Sequence, residues 1–332
     1  MPELRKDPIL GRWVIISIER GKRPTDFISP FQRKKDGGFC PFCPGNEYTT
    51  PPEILAFRPE GTKSNSGGWS LRVMPNKFPA LHISGELLKK GEGIYDRMNG
   101  IGAHEVIIET PEHHLSLATM SLKGMEDVLW AYHLRLSDLK KDMRLKYVLI
   151  FKNEGDTAGA TLEHTHTQLI ALPIVPRTVK DELQGAKDHY RIKERCIFCD
   201  IIQQEISDGR RIIAENEGYI AISPFAPRAP FETWIMPKSH EASFLPQDMS
   251  FRGLAEIFQR ILKQMDRILD VPPYNFIIHT SPFGLENVEY YHWHIELMPK
   301  LTKIAGFEWG SGFYINPVPP EEAAKFMREA RL

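Results

Sequence analysis

The chain has 332 residues, 42% of them hydrophobic and 26% charged, with 42 basic against 43 acidic side chains and a net charge of −1. Without a basic excess there is no electrostatic case for nucleic acid as the main partner, and no run of about 18 apolar residues reads as a membrane span. The opening MPELRKDPILGRWVIIS lacks the bounded apolar stretch of a signal peptide, so we expect a cytoplasmic protein of about two domains.

The four cysteines form two CxxC pairs, Cys40/Cys43 and Cys196/Cys199. In a reducing compartment such pairs hold a metal more often than a structural disulfide, and zinc is the first expectation. Shifting the chain by about 127 residues against itself gives an ordered series of matches. Residues 105–113, EVIIETPEH, align with residues 232–240, ETWIMPKSH, sharing a Glu, an Ile and the final His. An amphipathic helix is expected after each segment. Met125, Val128, Leu129, Tyr132, Leu136 and Leu139 mark the first, and Leu254, Ile257, Phe258, Ile261, Leu262, Met265 and Leu269 the second. Strands follow at residues 147–152 and 274–279, and each leads to an HxHx[Q/E] segment, HTHTQ at 164–168 and HWHIE at 292–296.

Each half therefore reads CxxC, His, helix, strand, HxH, an α+β arrangement with a polar, charged seam near 176–195. The additional length of the first half, around 61–68 and 91–100, is expected in surface loops. We place the halves at residues 1–180 and 190–332.

Two thiolates and two imidazoles are the ligand chemistry of a tetrahedral structural zinc. The expected sets are Cys40, Cys43, His113 and His164, and Cys196, Cys199, His240 and His292. His114 competes with His113 for the first set, and the four cysteines could instead form one site. The second His of each HxH is then free for chemistry. A neutral His166 is a good nucleophile toward phosphorus if its other nitrogen keeps its proton on an acceptor such as a backbone carbonyl. Gln168, on the same face of the strand, can donate its amide to a phosphate oxygen. The preceding loop, residues 153–161, offers Gly155, Gly159 and Thr161 as a phosphate cradle. In the second copy a carboxylate, Glu296, replaces Gln168 and would repel phosphate. The first copy is therefore expected to be catalytic and the second structural or substrate-positioning.

HTHTQ together with CPFC at 40–43, TPEH at 110–113 and FKNEG at 151–155 resembles the galactose-1-phosphate uridylyltransferase family of the histidine-triad superfamily. The likeness extends from DPILGRWVIIS to the C-terminal GFEWGSGFYINPVPPEEAAKFMREA. It implies two fused histidine-triad-like halves, each an antiparallel sheet with a packed helix, in a homodimer with active sites near the subunit interface. It also implies transfer of UMP from UDP-glucose to galactose-1-phosphate through a uridylyl-His166, with Gln168 orienting the phosphate.

Carried over by the same resemblance, Arg20 and Arg23 reach substrate phosphates, and Asn76, Lys77, Asn153, Gly159 and Thr161 line the nucleotide. Phe307 and Glu308 belong to the hexose segment. Lys77 stands where many members carry an acidic residue, and the segment after Glu308 lacks a Gln that some members place on the hexose. These features are shared by ADP-glucose phosphorylases, which use the same histidine but pass AMP to inorganic phosphate. The resemblance implies two structural zinc ions per chain.

Overall fold

Apolar residues in period-two and helical patterns divide the chain into strands and helices that one core can bury. The computed structural model describes residues 1–17, 23–27, 38–244 and 250–332. In chain order these form β1 (Glu3–Lys6), β2 (Trp13–Ile16), β3 (Leu55–Phe57), β4 (Leu71–Pro75), β5 (Lys90–Glu92), β6 (Tyr95–Arg97), β7 (Ala103–Ile108), α1 (Leu122–Leu139), β8 (Tyr147–Glu154) and β9 (His166–Leu172). They continue as α2 (Arg177–Lys193), α3 (Ile197–Asp208), β10 (Ile212–Glu215), β11 (Tyr219–Ile222), β12 (Thr233–Pro237), α4 (Arg252–Leu269), β13 (Tyr274–His279), β14 (His294–Pro299), α5 (Gly306–Ser311), β15 (Tyr314–Asn316) and α6 (Pro320–Glu329).

The two halves share a single ten-stranded sheet, ordered β10-β11-β12-β14-β13-β8-β9-β7-β4-β3 and antiparallel at every pairing. They meet where β8 pairs with β13, residue Phe151 opposite Ile277 and Asn153 opposite Asn275. A three-stranded sheet, β1-β2-β15, ties the N-terminus to the C-terminal segment.

Both expected helices form, and every apolar position named for them is buried. The Ser121 side chain caps α1 by accepting the Gly124 N–H at 3.0 Å, satisfying one of the orphan donors of the first turn. Helices α1 and α4 pack on each other, so one core joins Leu71, Val73, Ile107 and Leu169 of the first half to Ile235, Phe276, Ile295 and Leu297 of the second. Truncating such a side chain to Ala costs about 2–5 kcal/mol.

The structure adds detail to three sequence readings. The seam between the halves is mostly a regular helix, α2, whose Glu182 is buried. Residues 90–97, in one of the expected surface segments, form an exposed hairpin, β5 and β6. The repeat also slips from the 127-residue offset. Gln168 lies opposite Val106 and Phe151, while Glu296 lies opposite Trp234 and Ile277. Equivalent residues are thus 128 apart between β7 and β12 and between β9 and β14, and 126 apart between β8 and β13. A one-residue slip reverses which side of the sheet a side chain takes. The ladder therefore matches Glu105 with Thr233, and places Glu232 where His104 stands in the first half.

Candidate active site and metal centres

His164 lies at the mouth of β9 and His166 begins it. In an extended segment alternate side chains share a face, so His164, His166 and Gln168 face one way and Thr165 and Thr167 the other. On the first face Cys40, Cys43, His113 and His164 bring one donor atom each within 4.8 Å of one another. Sulfur and nitrogen ligands of a tetrahedral zinc stand about 3.6 Å apart. The Cys40 Sγ to His164 Nδ1 distance is 3.7 Å, and Cys43 Sγ lies 3.5 Å from His164 Nδ1 and 3.3 Å from His113 Nδ1. The remaining His164 nitrogen donates to the Thr110 carbonyl at 2.8 Å, which fixes the ring for coordination through Nδ1. Burial holds His164 down at about 4, against the opposing bond to Thr110, so the ring is neutral at pH 7. His113, and not its exposed neighbour His114, belongs to this group.

The second set repeats the geometry. Cys199 Sγ lies 3.4 Å from His240 Nδ1 and 3.6 Å from His292 Nδ1, and the outer nitrogens donate to the Val288 and Pro237 carbonyls. Cys196 completes it. The four cysteines are thus divided between two groups.

His166 is buried, and its Nδ1–H donates to the His164 carbonyl at 2.8 Å, leaving the Nε2 lone pair for chemistry. Burial, and then the Lys152 ammonium, lower its pKa. Phe42, between the two cysteines, packs edge-on against the ring at 5.3 Å. On the reverse face a buried polar network holds the strand. Lys152 Nζ donates to Glu109 at 2.9 Å, Thr165 Oγ1 at 2.8 Å and the His166 carbonyl at 2.9 Å. Thr165 and Thr167 donate to Glu109, and Tyr132 from α1 bonds Thr167 at 2.6 Å.

Gln168 Oε1 lies 2.9 Å from His104 Nε2 and 3.5 Å from Asn76 Nδ2. Asn76 is thereby brought beside Gln168, whereas Lys77 is exposed and reaches the Thr49 carbonyl at 3.2 Å. Asn153 Oδ1 accepts from Asn275 Nδ2 at 2.7 Å, and the same amide donates to the Ala158 carbonyl at 2.9 Å, fastening the loop across the seam between halves. Gly155 (φ 83°) and Gly159 (φ 94°) take backbone angles that need glycine, and Thr161 is exposed beyond them. Arg23 is exposed, and its N–H donates to Asp26; Arg20 falls outside the described residues. Phe307 is exposed on α5 and Glu308 accepts from the Ala305 N–H at 3.0 Å, so the pair lies on a surface helix packed against β15.

The sequence reading missed His104, Glu109, Lys152, Asn275 and a cluster in the second half. There His294 donates to the His292 carbonyl at 3.2 Å, as His166 does to His164, but its ring is stacked on His279 at 4.7 Å and flanked by Phe198 and Trp234. Glu182, His279 and His294 bring donor atoms within 4.8 Å of one another. His279 Nδ1 donates to Glu182 at 3.0 Å, and Nε2 lies 3.3 Å from Glu296, which Arg228 also contacts. Against the cost of burial, the two carboxylates push His279 up to about 10. The free space is about 10 Å³, room for at most one water. A cavity of about 650 Å³ opens nearby beside Ile201, Phe225 and Trp234. Its rim histidine, His189, is paired with Asp200 at 2.9 Å.

The duplicated antiparallel α+β fold, with a CxxC pair and an HxH segment in each half, defines the class of uridylyltransferase-like proteins. Residues 1–176 match the family described as galactose-1-phosphate uridyl transferase, N-terminal domain, and residues 102–330 match a domain of unknown function, DUF4921. The chain belongs to the galactose-1-phosphate uridylyltransferase family. It is 38% identical to ADP-glucose phosphorylase of Arabidopsis thaliana over all of this chain and 93% of that one. It is 30% identical to galactose-1-phosphate uridylyltransferase of Thermotoga maritima over all of this chain and 99% of that one. The solved Arabidopsis ADP-glucose phosphorylase with bound ADP-glucose superposes with a TM-score of 0.83 at 36% identity, each chain fully covered.

Proposed function

We propose that the protein is a nucleotide-sugar nucleotidyltransferase working by ping-pong chemistry through a covalent nucleotidyl-His166. The observation that carries the reading is the hydrogen bond from His166 Nδ1 to the His164 carbonyl, which leaves Nε2 as the nucleophile beside Gln168. In the first step the Nε2 lone pair forms a bond to the α-phosphorus as the bond to the bridging oxygen breaks, and the sugar 1-phosphate leaves. In the second, a phosphate oxygen of the acceptor attacks the α-phosphorus and the P–N bond breaks. Nδ1 keeps its proton on the His164 carbonyl throughout, and the Gln168 amide donates to a non-bridging oxygen.

The first reading of the substrate is UDP-glucose with a hexose-1-phosphate acceptor, supported by the family match and the uridylyltransferase relatives. The second is ADP-glucose with inorganic phosphate, favoured by the 38% against 30% identity and by Lys77. In either case Arg20, Arg23, Asn76, Lys77, Asn153, Gly159 and Thr161 belong to the nucleotide and phosphate site, and Phe307 and Glu308 to the sugar site.

The four-ligand sets Cys40/Cys43/His113/His164 and Cys196/Cys199/His240/His292 would each hold a structural zinc, which supplies fold stability and has no position left for substrate. Residues 1–180 form the catalytic half and 190–332 its partner half, in a cytoplasmic homodimer. Among the described residues no helix is long and apolar enough to cross a membrane.

Intact mass after mixing with UDP-glucose or ADP-glucose, without acceptor, tests the reading. A UMP-sized gain cleared by galactose-1-phosphate supports the first substrate, and an AMP-sized gain cleared by phosphate the second. His166→Ala should lose on the order of 10⁴-fold or more in rate. Retained transfer in that variant would sink the assignment.

A further inference from the structure

Gln168 can serve the transferred phosphate only if its NH₂ end, and not its carbonyl, faces the site. The two ends of an amide are nearly the same shape, so the surrounding donors decide. Two backbone groups, which can only donate, fix the outcome here. The Ala80 N–H donates to His104 Nδ1 at 3.1 Å. A neutral imidazole with Nδ1 accepting carries its proton on Nε2, and Nε2 lies 2.9 Å from Gln168 Oε1. The Phe78 N–H donates to Asn76 Oδ1 at 2.9 Å, which turns the Asn76 NH₂ inward, 3.2 Å from His104 Nε2 and 3.5 Å from Gln168 Oε1; with Nδ1 taken by the Ala80 N–H, Nε2 is itself a donor and the oxygen is the acceptor the two share. Gln168 Oε1 thus meets two donors, and its own NH₂ is directed away from them. His104 reaches it because it is the diagonal neighbour of Gln168: Val106, two residues on from His104, is the residue opposite Gln168.

We infer that His104 is a positioning residue for the transfer, locking the Gln168 amide so that its N–H bonds are presented to the phosphate. The inference rests on the nucleotidyl-transfer reading. It gives the loop after β4 a role beyond contacting the nucleotide: through Ala80 and Phe78 it sets the polarity of a side chain on β9. Without His104 the flipped amide would become comparable in energy, and its carbonyl would oppose the phosphate oxygens.

The test is single-turnover nucleotidylation of His104→Leu, His104→Gln, Gln168→Ala and the His104→Leu/Gln168→Ala double variant, using whichever of UDP-glucose or ADP-glucose labels the wild type. Removing one well-placed donor to a developing charge costs about 10²–10³-fold in rate. A donor free to flip should cost less, about 10-fold in the saturating single-turnover rate for His104→Leu, with the half-saturating substrate concentration within about two-fold. His104→Gln, which restores a donor near the Nε2 position, should recover most of the rate, and His104→Leu should add nothing once Gln168 is Ala. Additive losses, or a His104→Gln variant no better than His104→Leu, would overturn the inference.

A second readout is independent of turnover. The ¹⁵N shifts of His104 should report a protonated Nε2 and a bare Nδ1 at neutral pH, and the opposite tautomer overturns the inference whichever nucleotide is used. A wild type that accepts neither nucleotide would instead remove the functional reading, and the tautomer alone would then decide on His104.

Discussion

Lys152→Met is the most informative change beneath His166. Lys152 and Glu109 are fully buried side chains, with Nζ 2.9 Å from Glu109 and 3.3 Å from Glu154. Methionine nearly fills the volume but leaves the Glu109 carboxylate with hydroxyl donors alone. Breaking a buried pair from one side costs about 3–5 kcal/mol, because the surviving charge is uncompensated. Removing both charges, as in Lys152→Met/Glu109→Gln, should restore more than half of that loss. Urea unfolding at pH 7, followed by tryptophan fluorescence with m held comparable, measures both. A single variant that loses less than about 1 kcal/mol, or a double variant that loses as much as the single one, would refute the account. The same ammonium lowers the pKa of His166, so its removal should also move the acid limb of the nucleotidylation rate to higher pH.

Stripping metal with a chelator should unfold or strongly destabilise the protein before it slows the fraction that stays folded, and unchanged melting in a chelator that demonstrably extracts zinc would contradict the structural role. Because His166 is held below the ordinary histidine value of about 6.5, the acid limb of kcat/KM should fall below that pH; a limb above it would argue for a different nucleophile. For His279, raised to about 10 in the folded state, the stabilisation is full below about 6.5 and disappears as pH rises through 10. Stability measured across that window should decline more steeply in the wild type than in His279→Gln, and parallel curves would show that His279 is not charged.

Much of the first site was legible because its chemistry is written in contiguous spacing. CxxC and HxH carry their ligand geometry with them, and the six apolar positions of α1 all found the core. His104 gave a weaker signal: a lone His in an apolar strand reads as core until the strand order sets it diagonally from Gln168. Lys152 and Glu109 are 43 residues apart and meet only because β7 and β8 flank β9. Glu182 was hidden differently, inside a charged stretch that looks like a solvated linker and folds as a helix lying over the second half. The join of β8 to β13 has no sequence signature, since antiparallel strands with buried sides can pair with many partners.

The ladder register explains why His166 and His294 have such different surroundings. At the positions of Thr165 and Thr167 the second half has Trp293 and Ile295, so the polar network behind His166 is replaced there by core packing. On the histidine side the exchange runs the other way. Gln168 becomes Glu296, His104 becomes Glu232, and Arg228 contacts both carboxylates. Asn153, whose Oδ1 accepts from the Asn275 amide that fastens the glycine loop, becomes His279, stacked on the ring of His294. Positions held by neutral polar side chains in the first half carry charges in the second, where they are paired with one another around a space of about 10 Å³. Arg228→Met should therefore lose about 3–5 kcal/mol of stability by exposing two buried carboxylates to each other. It should leave the nucleotidylation rate of the folded enzyme within about two-fold, since no donor to the phosphate has been removed. A rate falling 10-fold or more at full occupancy of the folded state would mean that the second half enters the chemistry directly.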